Sequence, residues 1–526
     1  MNSELQNPSH TEICLVTLNS TYKHAAFGLR YLYANLNCYQ SMARIFEFTI
    51  QKKTEEIVEQ LLNCNPRIIG FGVYIWNTDQ TLRVIEQIKL QRPDTLIVLG
   101  GPEVSFETAK QKICQTADYV ICGEADFLFY EFCDQVLGKN ERPSQKIISG
   151  PLPDITKIRS PYALYDENDI KNRIIYVEAS RGCPYKCEYC LSSLDKSVRN
   201  FPIDLFLADL QKLIDLGVRQ FKFIDRTFNL SPSISNRILQ FFLDQIELGL
   251  FLHFEMVPDR LPQGLKDLIC RFPAGSLQFE IGVQTWNPQV AALVSRRQDF
   301  NKVCENLVYL KNETKVHTHV DLIAGLPGET LQSFAAGFDQ LANLGPDEVQ
   351  VGVLKRLKGT PIIRHDLEWS MKYSERPPFQ ILENKNLDAV TLSKIQRFSK
   401  YWDLIANSGN FKLAYQKILA TTTSDQSSLF DWFWNLTDFL DSRHPTTHSI
   451  ALISLFESML FYFDQVLDWD MQATLREDYL RGRNSVLPKF LRGPDYKGYI
   501  PSVKEPPISE LKMAAPKRQL QHLKTL

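Results

Sequence analysis

Short, near-continuous apolar runs alternate with amphipathic stretches through roughly the first two thirds of the chain, and this rhythm leaves few folds open. The first runs are Ile13–Leu18, Ile45–Thr49, Ile68–Val73, Leu96–Leu99 and Tyr119–Cys122, with helical patterns at Ala25–Leu36, Thr54–Leu62 and Thr78–Leu90 between them. Strands that are apolar on both faces and separated by helices predict a doubly wound parallel sheet. Its ligand would sit beyond the carboxyl ends of the strands, at the loops around 19–24, 74–78, 100–105 and 123–126. No G-x-G-x-x-G follows the first run, so a dinucleotide has little support there.

The rhythm resumes at Ile174–Ala179, Phe221–Asp225, Leu252–Met256, Leu277–Gln284, Thr318–Ala324 and Val349–Leu354. Six such units predict an open or partial barrel. The fold class is therefore α/β: a Rossmann-like doubly wound domain (1–146), a Pro-spaced linker (147–172), a partial (β/α)6 TIM-type barrel (173–368) and a mostly helical domain (369–491). A Pro-rich extended tail is expected over 492–526.

Composition removes several function classes. A formal net charge of −2 over 526 residues gives no general attraction to nucleic acid or an anionic membrane. The greasiest stretch, Ala451–Phe463, carries Ser454, Glu457 and Ser458 and is too short to span a bilayer, so it reads as a buried helix. An odd count of 11 cysteines and a polar amino terminus suggest reduced thiols in the cytoplasm, where a tight cysteine cluster holds metal.

Such a cluster stands at Cys183-Pro-Tyr-Lys-Cys187-Glu-Tyr-Cys190, just after the first barrel run. Three thiolates in one short loop can hold three corners of a [4Fe–4S] cubane and leave one iron open for catalysis. A zinc knuckle is the plainer alternative, but it would want a fourth ligand close by. Sorting the barrel runs by alternation puts His253, Glu255, Gln278, Glu280, Gln284, His317, His319, Asp321, Gln350 and Glu178 on the inner face. A purely structural barrel would place Val, Ile and Leu there; so polar a lumen points to a polar ligand, a self-satisfied hydrogen-bond network being the alternative.

The C-x3-C-x2-C loop is similar to that of radical S-adenosylmethionine (SAM) enzymes, and the resemblance extends from about Arg173 to Gly359. It implies that SAM chelates the open iron and is cleaved by one electron to methionine and a 5′-deoxyadenosyl radical. The electron would come from a flavodoxin- or ferredoxin-type donor. Tyr189 matches the aromatic residue that lies against adenine. Motifs similar to those of coproporphyrinogen-oxidase-like members imply SAM contacts at Glu255, Gln284, Arg296 and Asp321, with Asp225 as a further position.

A doubly wound domain ahead of such a barrel resembles the cobalamin-binding class. The matching stretches imply cobalamin contacts at Asn19, Ser20, Tyr22, Trp76, Asn77, Gly100, Gly101, Glu103, Gly123 and Glu124. The D-x-H-x-x-G motif that gives cobalt a histidine is absent: around His24, Tyr22 replaces Asp and Gly28 is one residue too far. The class implies methyl transfer to an unactivated carbon of a small molecule, or a radical rearrangement or cyclisation on the same cofactors. Two competing readings remain: tRNA methylthiolation, with a second cluster on Cys14, Cys38 and Cys64, and a non-enzymatic cobalamin sensor.

Overall fold

The computed structural model describes residues 11–444, 450–481, 486–492 and 514–523. Strands β1 (Ile13–Asn19), β2 (Ala43–Thr49), β3 (Ile68–Gly72), β4 (Leu96–Gly100), β5 (Tyr119–Cys122) and β6 (Ile147–Ser149) form one parallel sheet ordered β2-β1-β3-β4-β5-β6. Every residue of β1 is buried. Cys14, Val16 and Leu18 feed the core on one side of the sheet, while Ile13 and Leu15 feed the core on the other. This two-sided burial is why the runs are apolar without interruption. The chain steps outward from β1 to β2 and returns on the far side at β3, so a crevice opens at the carboxyl ends of β1 and β3. Strand β6 lies within the stretch expected to be linker; its Ile-Ile-Ser is largely exposed and too short to register as an apolar run.

A second parallel sheet follows, with its strands in sequence order: β7 (Ile175–Val177), β8 (Gln220–Phe223), β9 (Phe251–Met256), β10 (Leu277–Gln284), β11 (His317–Ala324) and β12 (Glu348–Val353). Its first and last strands do not pair with each other, so the barrel is open. Exposed edges invite wrong pairing unless they are covered, and here the flanking regions cover both. At β7, Ile174 N–H donates to the Lys23 carbonyl at 2.8 Å and the Tyr165 hydroxyl donates to the Tyr176 carbonyl. At β12, Ser399, Trp402 and Asn407 of the helical domain donate to the carbonyls of Val349 and Val351 at 2.6–2.9 Å.

The tail expectation fails where the structure can be compared with it. Lys517–Leu523 is a helix at the base of the barrel, held by Arg518 to Glu348 and by Gln519 to Gln278; residues 493–513 lie outside the described residues. The prolines stop at Pro516, immediately before this helix, and the anchors are polar, so apolar periodicity gave no sign of it. Among the described residues no helix is long and apolar enough to cross a membrane.

The barrel's outer core is aromatic. Fully buried Phe254 stacks on Phe228 (ring centroids 3.9 Å apart) and against Phe223 (4.3 Å). Phe254→Ala removes the centre of this cluster and is expected to destabilise the protein by about 3–5 kcal/mol. The check is a chemical denaturation midpoint against Leu205→Ala, a change at a 66% exposed surface position that should shift it little.

Candidate active site

The cysteine loop leaves the carboxyl end of β7 and is held by contacts on three sides. Ser180–Arg181 pairs antiparallel with Arg199–Asn200, and Cys183 N–H donates to the Asp195 carbonyl at 3.0 Å. Gly182 between them adopts φ +91°, and a Cβ there would lie 1.9 Å from the Ser197 carbonyl oxygen. At the loop's root, buried Asp225 accepts from Ala179 N–H (3.0 Å) and the Ser180 hydroxyl (2.5 Å). Burial pushes its carboxyl up to about 7 against those hydrogen bonds. Asp225 therefore holds the root of the loop and is not among the residues that line the cavity.

At the far end Glu188, between Cys187 and Cys190, is 4% exposed. Its carboxylate accepts from Arg364 Nε (2.6 Å) and Ser295, lies 3.0 Å from His365 Nε2, and its own N–H donates to the Val294 carbonyl. Sequence reading passed over Glu188; a charged residue in the tightest part of a cysteine motif is the signal that could have marked it.

One cavity collects Cys183, Cys187 and Cys190 with Tyr189, Glu255, Gln284, Arg296 and Asp321, residues drawn from the loop, from β9, β10 and β11, and from the segment after helix Pro288–Leu293. Burial raises the Cys183 thiol, and the neighbouring Cys190 and Cys187 add to the effect. In β10 the register slips between Gly282 and Gln284, and Gln284 takes φ +73°, a costly conformation for a non-glycine residue. Its side chain folds back over Gly282, where a Cβ would meet Gln284 Nε2 at 2.3 Å. Arg296 donates to the Gly282 and Val283 carbonyls and reaches Tyr189 Oη (3.3 Å) and Cys187 Sγ (3.5 Å).

The lumen is partly self-satisfied. Glu280 lies 2.9 Å from His253 Nε2; burial would raise its carboxyl, but the His253 hydrogen bond and the Lys222 charge hold it down to about 2. Glu255 accepts from Arg226 at 3.1 Å, and His319 is 2.8 Å from Gln350. Asp321 is the exception. Its Oδ1 is buried without a hydrogen bond, and burial, with Glu280 and Glu255 close by, holds the carboxyl well above its usual range. A buried carboxylate oxygen facing a cavity calls for a donor from a ligand. Glu178 does not join this set; it pairs with Arg181, on the side facing the first domain.

The second cavity opens at the crevice of the first sheet. Gly28, Gly70, Gly72, Gly100, Gly101 and Gly123 line it with Tyr31, Tyr74, Glu124 and Asp126. So many missing side chains leave room for a flat, bulky group. Of the residues expected to touch cobalamin, Gly100, Gly101, Gly123 and Glu124 line this cavity; Asn19, Ser20, Tyr22, Trp76, Asn77 and Glu103 do not. Asn77 pins the loop, donating to the Leu18 and Gly72 carbonyls while accepting from Tyr74 N–H. Trp76 stacks at 4.6 Å on Tyr74, which does line the cavity. Asn19 donates to the His24 carbonyl, Tyr22 accepts from Asn168, and Glu103 pairs with Lys358. Ser20 is half-buried. None of the lining residues is a histidine, and His24 Nδ1 is taken up by the Tyr176 hydroxyl at 2.5 Å.

Arg181 joins the two cavities. It lines the glycine-rich one, stands two residues before Cys183, and pairs with Glu124 (2.9 Å), Asp126 (2.8 Å) and Glu178 (2.9 Å).

A cradle of glycines on a doubly wound sheet, facing a three-thiol barrel site, defines a class of protein with two cofactor-binding cavities. Residues 177–351 match the Radical SAM superfamily, 13–132 the B12 binding domain, and 367–505 a protein of unknown function (DUF4080). The chain belongs to the cobalamin-binding radical SAM family, whose cofactors are a [4Fe–4S] cluster, SAM and cobalamin. It is 23% identical to the uncharacterized methyltransferase PH0819 of Pyrococcus horikoshii, over 65% of this chain and 79% of that protein. It is also 23% identical to the cobalamin-dependent radical SAM methyltransferase TokK of Streptomyces tokunonensis, over 57% of this chain and 47% of TokK. A tRNA-2-methylthio-N(6)-dimethylallyladenosine synthase of Acinetobacter baylyi is 22% identical, over 52% of this chain and 59% of the synthase. The chain thus spans about half the length of the latter two. The fold of the cobalamin-dependent SAM radical enzyme OxsB superposes with a TM-score of 0.59 at 13% identity, covering 89% of this chain and 76% of OxsB.

The clash at Gly182 makes a direct prediction about the loop. Gly182→Ala should cost the protein most of its iron after anaerobic reconstitution. Gly217→Ala, also at positive φ but with nothing within 4 Å of the new Cβ, should retain it. Iron per chain is the measurement.

Proposed function

We propose that the chain cleaves SAM reductively at a cluster on Cys183, Cys187 and Cys190 and uses cobalamin to methylate an unactivated carbon of a small molecule. The observation that carries this reading is the single cavity in which the three thiols meet a buried carboxylate oxygen of Asp321 that accepts no hydrogen bond, with His319 Nε2 3.5 Å away. When bound, the cluster and SAM supply a primary carbon radical, and cobalamin supplies the methyl group.

The protein's own part is to bind and orient. Three thiolates leave one iron open for the amino and carboxylate groups of SAM. Arg296, already turned toward Cys187 and Tyr189, is placed to take the methionine carboxylate, and its guanidinium geometry suits that task. Asp321 and Glu255 accept from the amino group or ribose hydroxyls, with Arg226 steadying Glu255. Gln284 would bond the same ligand from its strained position, and Tyr189 would lie along the adenine. In the first domain, Gly100, Gly101, Gly123 and Glu124 would border the corrin, and no histidine lines that cavity. Electrons come from a flavodoxin- or ferredoxin-type donor in the cytoplasm.

Methylthiolation fits the geometry less well. A second cluster would need Cys14, Cys38 and Cys64 together. Cys14 and Cys64 belong to the core on one side of the first sheet, while Cys38 is exposed beside Tyr39, which packs into the core on the other side. Among the described residues these three thiols do not come within ligand distance of one another.

Reconstituted protein with SAM and a reductant tests the proposal. We expect about four iron atoms per chain, with both S-adenosylhomocysteine and 5′-deoxyadenosine formed and both products lost in Cys187→Ala. About eight iron atoms per chain would favour methylthiolation. Release of 5′-deoxyadenosine without S-adenosylhomocysteine would favour rearrangement or cyclisation.

A further inference from the structure

At the base of the barrel, the end opposite the cysteine loop, two strands and the carboxyl-terminal helix bring three metal-type ligands together. His317 begins β11, Glu348 begins β12, and His522 stands on helix Lys517–Leu523. His317 and Glu348 are 8% and 4% exposed, and His522 is half-buried. Glu348 Oε1 lies 2.9 Å from His317 Nε2 and 3.9 Å from His522 Nε2, and the three ligand atoms all fall within 4.8 Å of one another. Ligand atoms around a tetrahedral zinc ion are about 3.3 Å apart, given bonds near 2.0–2.1 Å. A small closing movement of the His522 ring reaches that spacing.

We propose that His317, Glu348 and His522 form a divalent-metal site of the zinc type that locks the carboxyl-terminal helix onto the barrel. The fourth donor is the Asn407 carbonyl oxygen, 2.8 Å from His522 Nε2; the second lone pair of this oxygen accepts from Arg518 Nε at 3.3 Å. On binding, His317 Nε2 gives up its hydrogen bond to Glu348 and His522 Nε2 its hydrogen bond to the Asn407 carbonyl, each imidazole shifts its proton to Nδ1, and the freed nitrogens and oxygens turn to the ion. Two imidazoles and one carboxylate suit zinc better than magnesium or calcium, which prefer oxygen.

Arg518 is the obvious objection, being a cation 2.8 Å from Glu348. It binds the other carboxylate oxygen, Oε2, while Oε1 faces both histidines. That is the outer position from which hydrogen-bond donors commonly orient a ligating carboxylate. The lock also answers a need. Seven helical residues do not hold a helix by themselves, and the contacts of this one are mainly polar, through Arg518, Gln519 and His522.

The test uses full-length, cluster-loaded protein, so that the cysteine site is already filled with iron. It is dialysed against zinc chloride, stripped of loose metal on a chelating resin, and analysed for zinc and iron. We expect about one zinc per chain in the unmodified protein. His522→Ala and Glu348→Gln should each lower it at least about fivefold, the scale on which loss of one ligand weakens a site, with iron unchanged. His522→Ala changes only a half-buried side chain near the end of the chain, and its iron content reports that the barrel is intact. Equal zinc in the unmodified protein and His522→Ala, or almost none in either, would overturn the site and leave a hydrogen-bonded latch.

Discussion

The interaction on which the rest of the structure depends is the charge knot around Arg181. Its guanidinium is half-buried between three carboxylates, Glu124 and Asp126 from the first domain and Glu178 from its own strand end, and Arg199 adds a second cation on Glu124. Tyr31 closes the knot, with the Arg181 guanidinium 4.7 Å from its ring centre. A buried network of this kind gives little net stability over an apolar contact of the same shape, but losing one partner typically costs about 3–5 kcal/mol, because the remaining charges stay buried and unpaired. What it supplies is position. The glycine-lined cavity and the cysteine loop share one side chain, so neither can move far without the other.

The same logic explains why the chain needs three regions. A six-stranded parallel barrel has two open edges, and each is covered by a neighbour through specific hydrogen bonds to strand backbone. The first domain lies along β7, and the helical region caps the carbonyls of β12 with Ser399, Trp402 and Asn407. Further ties cross between the domains: Glu103 pairs with Lys358, Glu107 with Arg356, and Gly359 leaves space for Phe106 against its Cα. The helical region is thus part of the barrel's own closure.

Much of this was legible in the sequence because it rests on periodicity and spacing. Leu277–Gln284 is a strand with the expected ends, and alternation correctly turned Glu255, Gln284 and Asp321 toward one cavity. The three cysteines announced themselves by spacing alone. What the sequence did not record depends on loops and on contacts distant along the chain. Asn77 and Trp76 sit in a loop that borders the first cavity, yet their side chains turn back to hold the loop, a choice made by the Leu18 and Gly72 carbonyls that no local pattern records. Asp225 enters the SAM set only by resemblance; in the structure its carboxylate accepts from the backbone N–H of Ala179. Arg181 reads as an ordinary motif residue; its partners lie 55 and 57 positions away. The carboxyl-terminal helix was hidden behind a proline-rich approach and has polar anchors.

If the Arg181 knot is the joint between the cofactor sites, filling one should change the affinity of the other, and coupling free energies of this kind usually amount to about five- to a hundredfold. The most direct measurement is the dissociation constant of hydroxocobalamin before and after cluster assembly, in unmodified protein and in Arg181→Lys. Lysine keeps the charge but cannot fork between three carboxylates. The account predicts that cluster assembly tightens cobalamin binding by about fivefold or more in the unmodified protein and by much less in the variant. Affinities that do not change with cluster assembly in the unmodified protein would contradict it.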